Sequence, residues 1–221
     1  MIKNWWKILA VILVLYAIIA GFLAPVPRLA ILHETIRNLY FHVTMWFGMM
    51  IILFVSLLYS TKFLSTLNMK DDIIASAASK VGILFGLLGI ATGSVWARYT
   101  WGAWWVGDTK LNGAAITLLI YIAYAVLRGS IDEEQKRARI SAVYNIFAYI
   151  MLIVFLMILP RMTDSLHPGN GGNPGFGGYD LDNKMRIVFY PAIIGWTLLG
   201  VWIMSLTVRL EKVKRTIIFN A

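Results

Sequence analysis

Six stretches of this chain are apolar for long enough to cross a lipid bilayer, and nothing else in the sequence restricts the fold as strongly. They run from about Ile8 to Ala24, Phe41 to Ser60, Ser76 to Ala97, Gly113 to Leu127, Ile140 to Pro160 and Ile187 to Thr207. A helical span needs ~20 mostly apolar residues, within a range of ~17–25. The fourth run is short and is expected to borrow Leu111 and Asn112. A lipid-exposed backbone must satisfy its own hydrogen bonds, so runs of this length become helices. The expected fold is an all-α integral membrane protein with six transmembrane helices, forming one polytopic domain over residues 1–221.

The first run ends in Pro25-Val-Pro27 without a clear small-residue cleavage site, and Trp5 and Trp6 precede it. It reads as a retained span with interfacial anchors. Lys80 lies near the end of the third run, where its ammonium can snorkel. The same run places Gly82, Gly86, Gly89 and Gly93 on one helical face, which invites close packing by a neighbouring helix.

Lys and Arg set the orientation. With the N-terminus cytoplasmic, thirteen of the twenty basic residues fall inside and seven outside. An even number of spans then puts both termini in the cytoplasm. The outer loops are expected at 25–40, 98–112 and 161–186. The net charge of +9 is scattered between apolar runs, so it points to a lipid bilayer and not to nucleic acid. There is no cysteine, which excludes disulfides, thiol chemistry and sulfur ligation of a metal by cysteine.

The second outer loop carries Trp101-Gly-Ala-Trp-Trp-Val-Gly-Asp108. Read as a helix, Trp101, Trp104, Trp105 and Asp108 share one face, and small residues occupy the other. Two readings stay open here: an interfacial aromatic belt, or a ledge for a flat apolar ligand. All three histidines fall on the same outer side: His33 in the first loop, His42 at the start of span two, and His167 in the last loop. No acidic residue or histidine lies mid-membrane, which argues against an ion-coupled pump. The last outer loop contains Pro168-Gly-Asn-Gly-Gly-Asn-Pro-Gly-Phe-Gly-Gly178 and is expected to be irregular.

Neutral imidazole binds haem iron. Two histidines from different loops beside an aromatic ledge could hold a porphyrin, with outer arginines on its propionates. Arg98 and Arg161 are the nearest candidates, with Arg28, Arg37 and Lys110 behind them. The plainer alternatives are that Arg98 anchors the end of span three and that Asp108 caps the turn into span four.

The segment from Trp101 to Leu111 resembles the tryptophan-rich "WWD" signature of haem-handling proteins in cytochrome c biogenesis. Length and span number resemble the haem exporter protein C family, CcmC, within the wider CcsA-type group. Tyr40-Phe-His-Val43 is similar to that family's first histidine motif, and Leu166-His-Pro168 falls where it places the second. The chain departs from the family pattern at Gly107, Lys110 and Asn112, and has Thr44 where proline is usual.

The resemblance implies that His42 and His167 are axial ligands of haem b, and that Trp101 to Asp108 forms a platform. It implies an inner-membrane protein of bacteria that presents haem at the periplasmic face to a membrane-anchored, CcmE-like chaperone, with an ABC-type CcmAB-like complex assisting. His33 matches no family motif. The chain is expected to be a handling protein without catalytic residues of its own. The alternatives are a CcsA-type cytochrome c synthase component, a cytochrome b-like electron-transfer subunit, and a transporter of another substrate.

Overall fold

The computed structural model describes residues 4–28, 32–167 and 181–220. Six long helices carry the expected spans: α1 (Trp5–Leu23), α2 (His42–Thr66), α3 (Met69–Trp101), α4 (Thr109–Gly129), α5 (Glu134–Ile153) and α6 (Asn183–Asn220). All six are long and apolar enough to cross a membrane. The glycine-rich stretch beginning at Pro168 lies outside the described residues up to position 180.

Helices run past the apolar runs at several ends. A 3-10 helix, His33–Tyr40, leads directly into α2, and α2 turns into α3 across Leu67 and Asn68 alone. Leu67 takes the left-handed conformation (φ 53°) that closes a helix, and the Asn68 side chain accepts the Lys70 amide at 3.0 Å to start the next. Asp71 and Asp72 occupy the first turn of α3, where the helix dipole favours carboxylates. At a rise of 1.5 Å per residue, the 38 residues of α6 extend about 57 Å, well beyond a ~30 Å hydrocarbon core. Its last turns bring Arg215 to Glu134 (3.4 Å) and to Glu211 (3.5 Å).

Alternation of the helices gathers the C-terminal ends of α1, α3 and α5 with the N-terminal ends of α2, α4 and α6. This is the histidine end of the bundle. α2 packs on α3, α5 and α6, while α1 lies against α6 and α4 against α5. The glycine stripe accounts for the α2–α3 contact. Gly82 faces Leu53, Gly86 faces Met49, Gly89 faces Trp46, and Gly93 faces His42. Side chains of one antiparallel helix drop in turn onto bare backbone of the other.

The central core includes Met49, Ile52, Leu53, Val81, Phe85, Tyr121 and Leu152. A second cluster at the histidine end joins Ile36, Tyr40, Trp96, Met185 and Phe189. Between the core and the opposite end lies a buried polar knot. Asn145 Nδ2 donates to Ser56 Oγ (2.7 Å) and Ser60 Oγ (2.8 Å), and the Ser56 hydroxyl lies 2.7 Å from both Ser79 Oγ and the Ala75 carbonyl. At the opposite end Arg128 grips Asp72 with two bonds of 2.8 and 2.6 Å, and Lys62 reaches Asp71 at 2.9 Å.

Candidate functional site: a histidine-flanked cleft

α5 does not end as a regular helix. Val154–Ile158 forms a π-turn and Leu159–Arg161 a 3-10 turn containing Pro160. π-Turns are frequent at functional sites, and here Leu156 and Met157 of the π-turn, with Pro160 and Arg161 of the 3-10 turn, line a cleft at the histidine end. The other walls come from α2 (His42, Val43, Trp46, Phe47, Met50), α3 (Gly89, Ile90, Gly93, Ser94, Trp96) and the start of α4 (Lys110, Leu111, Ala114). Trp105 and His167 complete it, together with residues of the 3-10 helix. The space is about 1150 Å³ including its open mouth. It has the character of a small-molecule site, largely apolar with a few placed polar groups.

Two imidazoles reach this cleft from separate elements. His42 begins α2, and its Nδ1 lies 2.9 Å from the Gly89 carbonyl and 3.3 Å from Thr92 Oγ1. A carbonyl can only accept, so Nδ1 carries the hydrogen and the neutral ring presents its lone pair at Nε2. Gly93 makes room for the ring, since a Cβ there would lie 2.5 Å from His42 Cε1. His167 Nδ1 lies 2.9 Å from Asp108 Oδ1, a carboxylate oxygen that can only accept while ionised. Its free nitrogen is therefore also Nε2. Trp96 neighbours both rings, with its centroid 6.5 Å from that of His42 and 5.6 Å from that of His167.

The tryptophan segment corrects the helical reading. α3 stops at Trp101, Gly102 takes φ +81°, and residues up to Val106 and Gly107 form an irregular turn before Asp108 caps α4. Glycine permits that left-handed backbone at no steric cost. The four residues expected on one face accordingly separate. Trp101 packs on Trp96 (4.7 Å) and on His167 (5.0 Å), behind the cleft. Trp105 lines the cleft and donates from Nε1 to Asn112 Oδ1 (3.2 Å). Trp104 is 59% exposed and projects from the surface, with its carbonyl bonded by Ser94 Oγ at 3.0 Å. Asp108 is only 4% exposed and lies outside the cleft lining.

Asp108 does act as the helix cap, accepting the amides of Lys110 (2.8 Å) and Leu111 (3.3 Å). It also accepts from Ser165 Oγ (2.8 Å) and the Leu166 amide (2.7 Å). Burial pushes its carboxyl upward, but the hydrogen bonds from His167, Ser165 and Leu166 outweigh that and hold it well below the usual carboxylate range.

The arginines also divide. Arg161 lines the cleft, with its guanidinium on the Met157 carbonyl. Arg98 donates to the Gly102 carbonyl and so closes its own helix, as the plainer reading of that residue had it. Arg37 closes α1 through the Gly21 and Ala24 carbonyls. Lys110 is the second cation on the cleft lining. His33 is exposed and stands apart from the cleft.

The residues present fit a haem. His42 and His167 line one largely apolar space, aromatic rings share its walls, and Arg161 and Lys110 belong to its lining. Among the described residues no cluster of three His, Cys, Asp or Glu side chains could hold a bare metal ion. Trp46, Trp96 and Gly93 escape a linear reading because each looks like an ordinary residue of its span. The only available signal was Gly93 in the glycine stripe.

The chain thus has six helices long and apolar enough to cross a membrane and two histidines on one apolar cleft. Comparison with known proteins gives the family. The sequence profile of the family described as "Heme exporter protein C", CcmC, matches residues 1–220, and the chain belongs to that family. It is 28% identical to Heme exporter protein C of Bradyrhizobium diazoefficiens over 187 residues, 83% of this chain and 69% of the relative. It is 23% identical to that of Escherichia coli K12 over 150 residues, 66% of this chain and 56% of the relative. A shorter match, 40% identical over 75 residues, is to cytochrome c biogenesis protein CcsA of Prochlorococcus marinus, covering 34% of this chain and 23% of that one. Family membership supports a role in haem handling for cytochrome c maturation.

Proposed function

We propose that the chain binds haem b in the cleft between His42 and His167, at the periplasmic face of the bacterial inner membrane, and presents it to a membrane-anchored haem chaperone. The observation that carries this is the pair of imidazoles with Nδ1 tied to protein acceptors and Nε2 left for iron. Haem bound there would supply an iron that accepts nitrogen donors. His42 and His167 would be those ligands. Trp46, Trp96 and Trp105 would exclude water from the ring. Arg161 and Lys110 would meet the propionates as charge-assisted partners. An ABC-type complex similar to CcmAB would assist release.

The face of the membrane follows from the thirteen-to-seven distribution of basic residues. A reporter fused after Gly172 is expected to behave as periplasmic, and one at the C-terminus as cytoplasmic. The opposite pattern would put the cleft inside and remove this reading.

Handover should depend on Trp104, on the surface, and on Trp105, on the cleft wall. Trp104 and Trp105 are 59% and 42% exposed, so alanine at both removes contact surface without opening the core. An aromatic contact is worth ~0.5–1.5 kcal/mol beyond its area, so loading of the chaperone should slow roughly ten-fold or more. Normal accumulation with normal loading would leave these two rings as a membrane belt.

The CcsA match supports a second reading, a component that passes haem to apocytochrome directly. Maturation in cells lacking any CcmE-like chaperone would favour it.

A further inference from the structure

Asp108 stands far from His167 in sequence, yet its carboxylate is the hub of five hydrogen bonds. Oδ1 receives the His167 ring N–H at 2.9 Å and the amides of Lys110 and Leu111 at 2.8 and 3.3 Å. Oδ2 receives the Ser165 hydroxyl at 2.8 Å and the Leu166 amide at 2.7 Å. A carboxylate offers roughly four lone-pair positions. Five donors saturate it, and its side chain is 1% exposed. It has nothing left to offer a ligand in the cleft, so any effect it has on one must pass through His167.

We propose that Asp108 is a positioning residue that fixes the tautomer and orientation of His167 and fastens the histidine loop to the tryptophan turn. The proposal rests on the reading of His167 as an iron ligand. A carboxylate behind a ligating imidazole fixes the ring, selects the nitrogen that faces the metal and raises its basicity. The two histidines are thereby made unequal. His42 leans on the neutral Gly89 carbonyl, whereas His167 leans on a charge.

Capping does not explain why an acid is needed, since Asn caps a helix about as well as Asp. The remaining bonds do explain it. An amide at 108 could accept from His167 and the helix amides through its oxygen. Its NH2 would then point at the Leu166 N–H, a donor facing a donor. Turning the amide over would restore Leu166 and lose both His167 and the cap. Asp108→Asn therefore keeps either the cap or the loop, never both.

The test uses full-length protein in detergent, with 15N-labelled histidine. In the haem-free form the His167 signal, assigned by its loss in His167→Ala, should show hydrogen on Nδ1. Asp108→Asn should populate the other tautomer in the molecules whose amide is turned to keep the loop, while Ser165→Ala, which removes one of the five bonds and the Ser165 contacts to the His167 amide (3.1 Å) and Nδ1 (3.4 Å) but leaves the carboxylate, should shift it less. In the haem-loaded form Asp108→Asn should raise the midpoint potential, because a less basic imidazole stabilises ferric iron less. It should also release haem to a scavenging apoprotein about 10–100-fold faster. Asp108→Glu, which keeps the charge, should recover part of both changes. The proposal is overturned if Asp108→Asn keeps the parental tautomer and potential, even when it melts earlier, since Asp108 would then be a cap alone. If His167→Ala retains the parental haem spectrum, it is the ligation reading that falls, and the tautomer measurement still decides the role of Asp108.

Discussion

Replacing both His42 and His167 with alanine is expected to strip the purified protein of most of its haem. Parental protein should show a six-coordinate, low-spin spectrum, because on the proposed reading two imidazoles would ligate the iron. Each single variant should shift to a five-coordinate or water-ligated form, and added imidazole should partly restore it by refilling the vacated position. The double variant has only ring contacts with Trp46, Trp96 and Trp105 to hold the porphyrin. The two histidines are expected to differ. His42 lies in a slot against Gly93, so its loss leaves a hole in a packed helix pair. His167 sits on a loop, and its loss frees the Asp108 carboxylate from one bond. His33→Ala is the control, because that side chain is exposed and stands apart from the cleft. An unaltered low-spin spectrum in either single variant, or its disappearance in the His33 control, would refute ligation by this pair.

The largest effect on stability should come from the opposite end of the bundle. Asp72→Ala would remove a buried carboxylate from the Arg128 guanidinium, which is 14% exposed and makes two bonds to it at 2.8 and 2.6 Å. Breaking a buried pair from one side costs about 3–5 kcal/mol, whereas replacing both partners by apolar residues is often neutral. The single variant should therefore melt well below the parent in detergent and accumulate poorly. Asp72→Leu combined with Arg128→Met should recover most of the loss. A single variant that melts like its parent, or a double variant no better than the single, would mean that the pair does not hold α3 to α4. Haem binding per folded molecule should be unchanged in both, because neither residue lines the cleft.

The six spans were legible because lipid imposes one simple demand, ~20 apolar residues per crossing. The glycine stripe of α3 was legible because four glycines at helical spacing have few other uses. His42 and His167 were brought to one face by the alternation of spans, and the fold brings them to one cleft. The turn from Gly102 to Gly107 was not legible. Helical spacing gave the tryptophans a shared face, but a single left-handed residue, Gly102, ends the helix before that face can form. The clasp of Asp108 on His167 was hidden by the length of chain between them, and only tertiary structure joins them. The buried ring of Trp96 and the knot of Ser56, Ser79 and Asn145 were hidden for another reason. A lone polar or aromatic residue in an apolar run does not reveal whether it faces lipid or a neighbouring helix.

The placement of the cross-links makes the bundle resemble a clothes-peg. One jaw is α2 with α3, the other α4 with α5, and the polar ties between them described here, Arg128 to Asp72 and Asn145 to Ser56 and Ser60, gather toward the spring. The cleft lies at the tips, where the jaws meet largely through apolar side chains. Apolar contact is non-directional and has no fixed partner to lose, so a changed side chain at the tips leaves the polar ties of the spring intact. Stability and grip are thus set at different depths in the membrane. Side chains at the tips can be altered without touching the charged and polar joint at the other end.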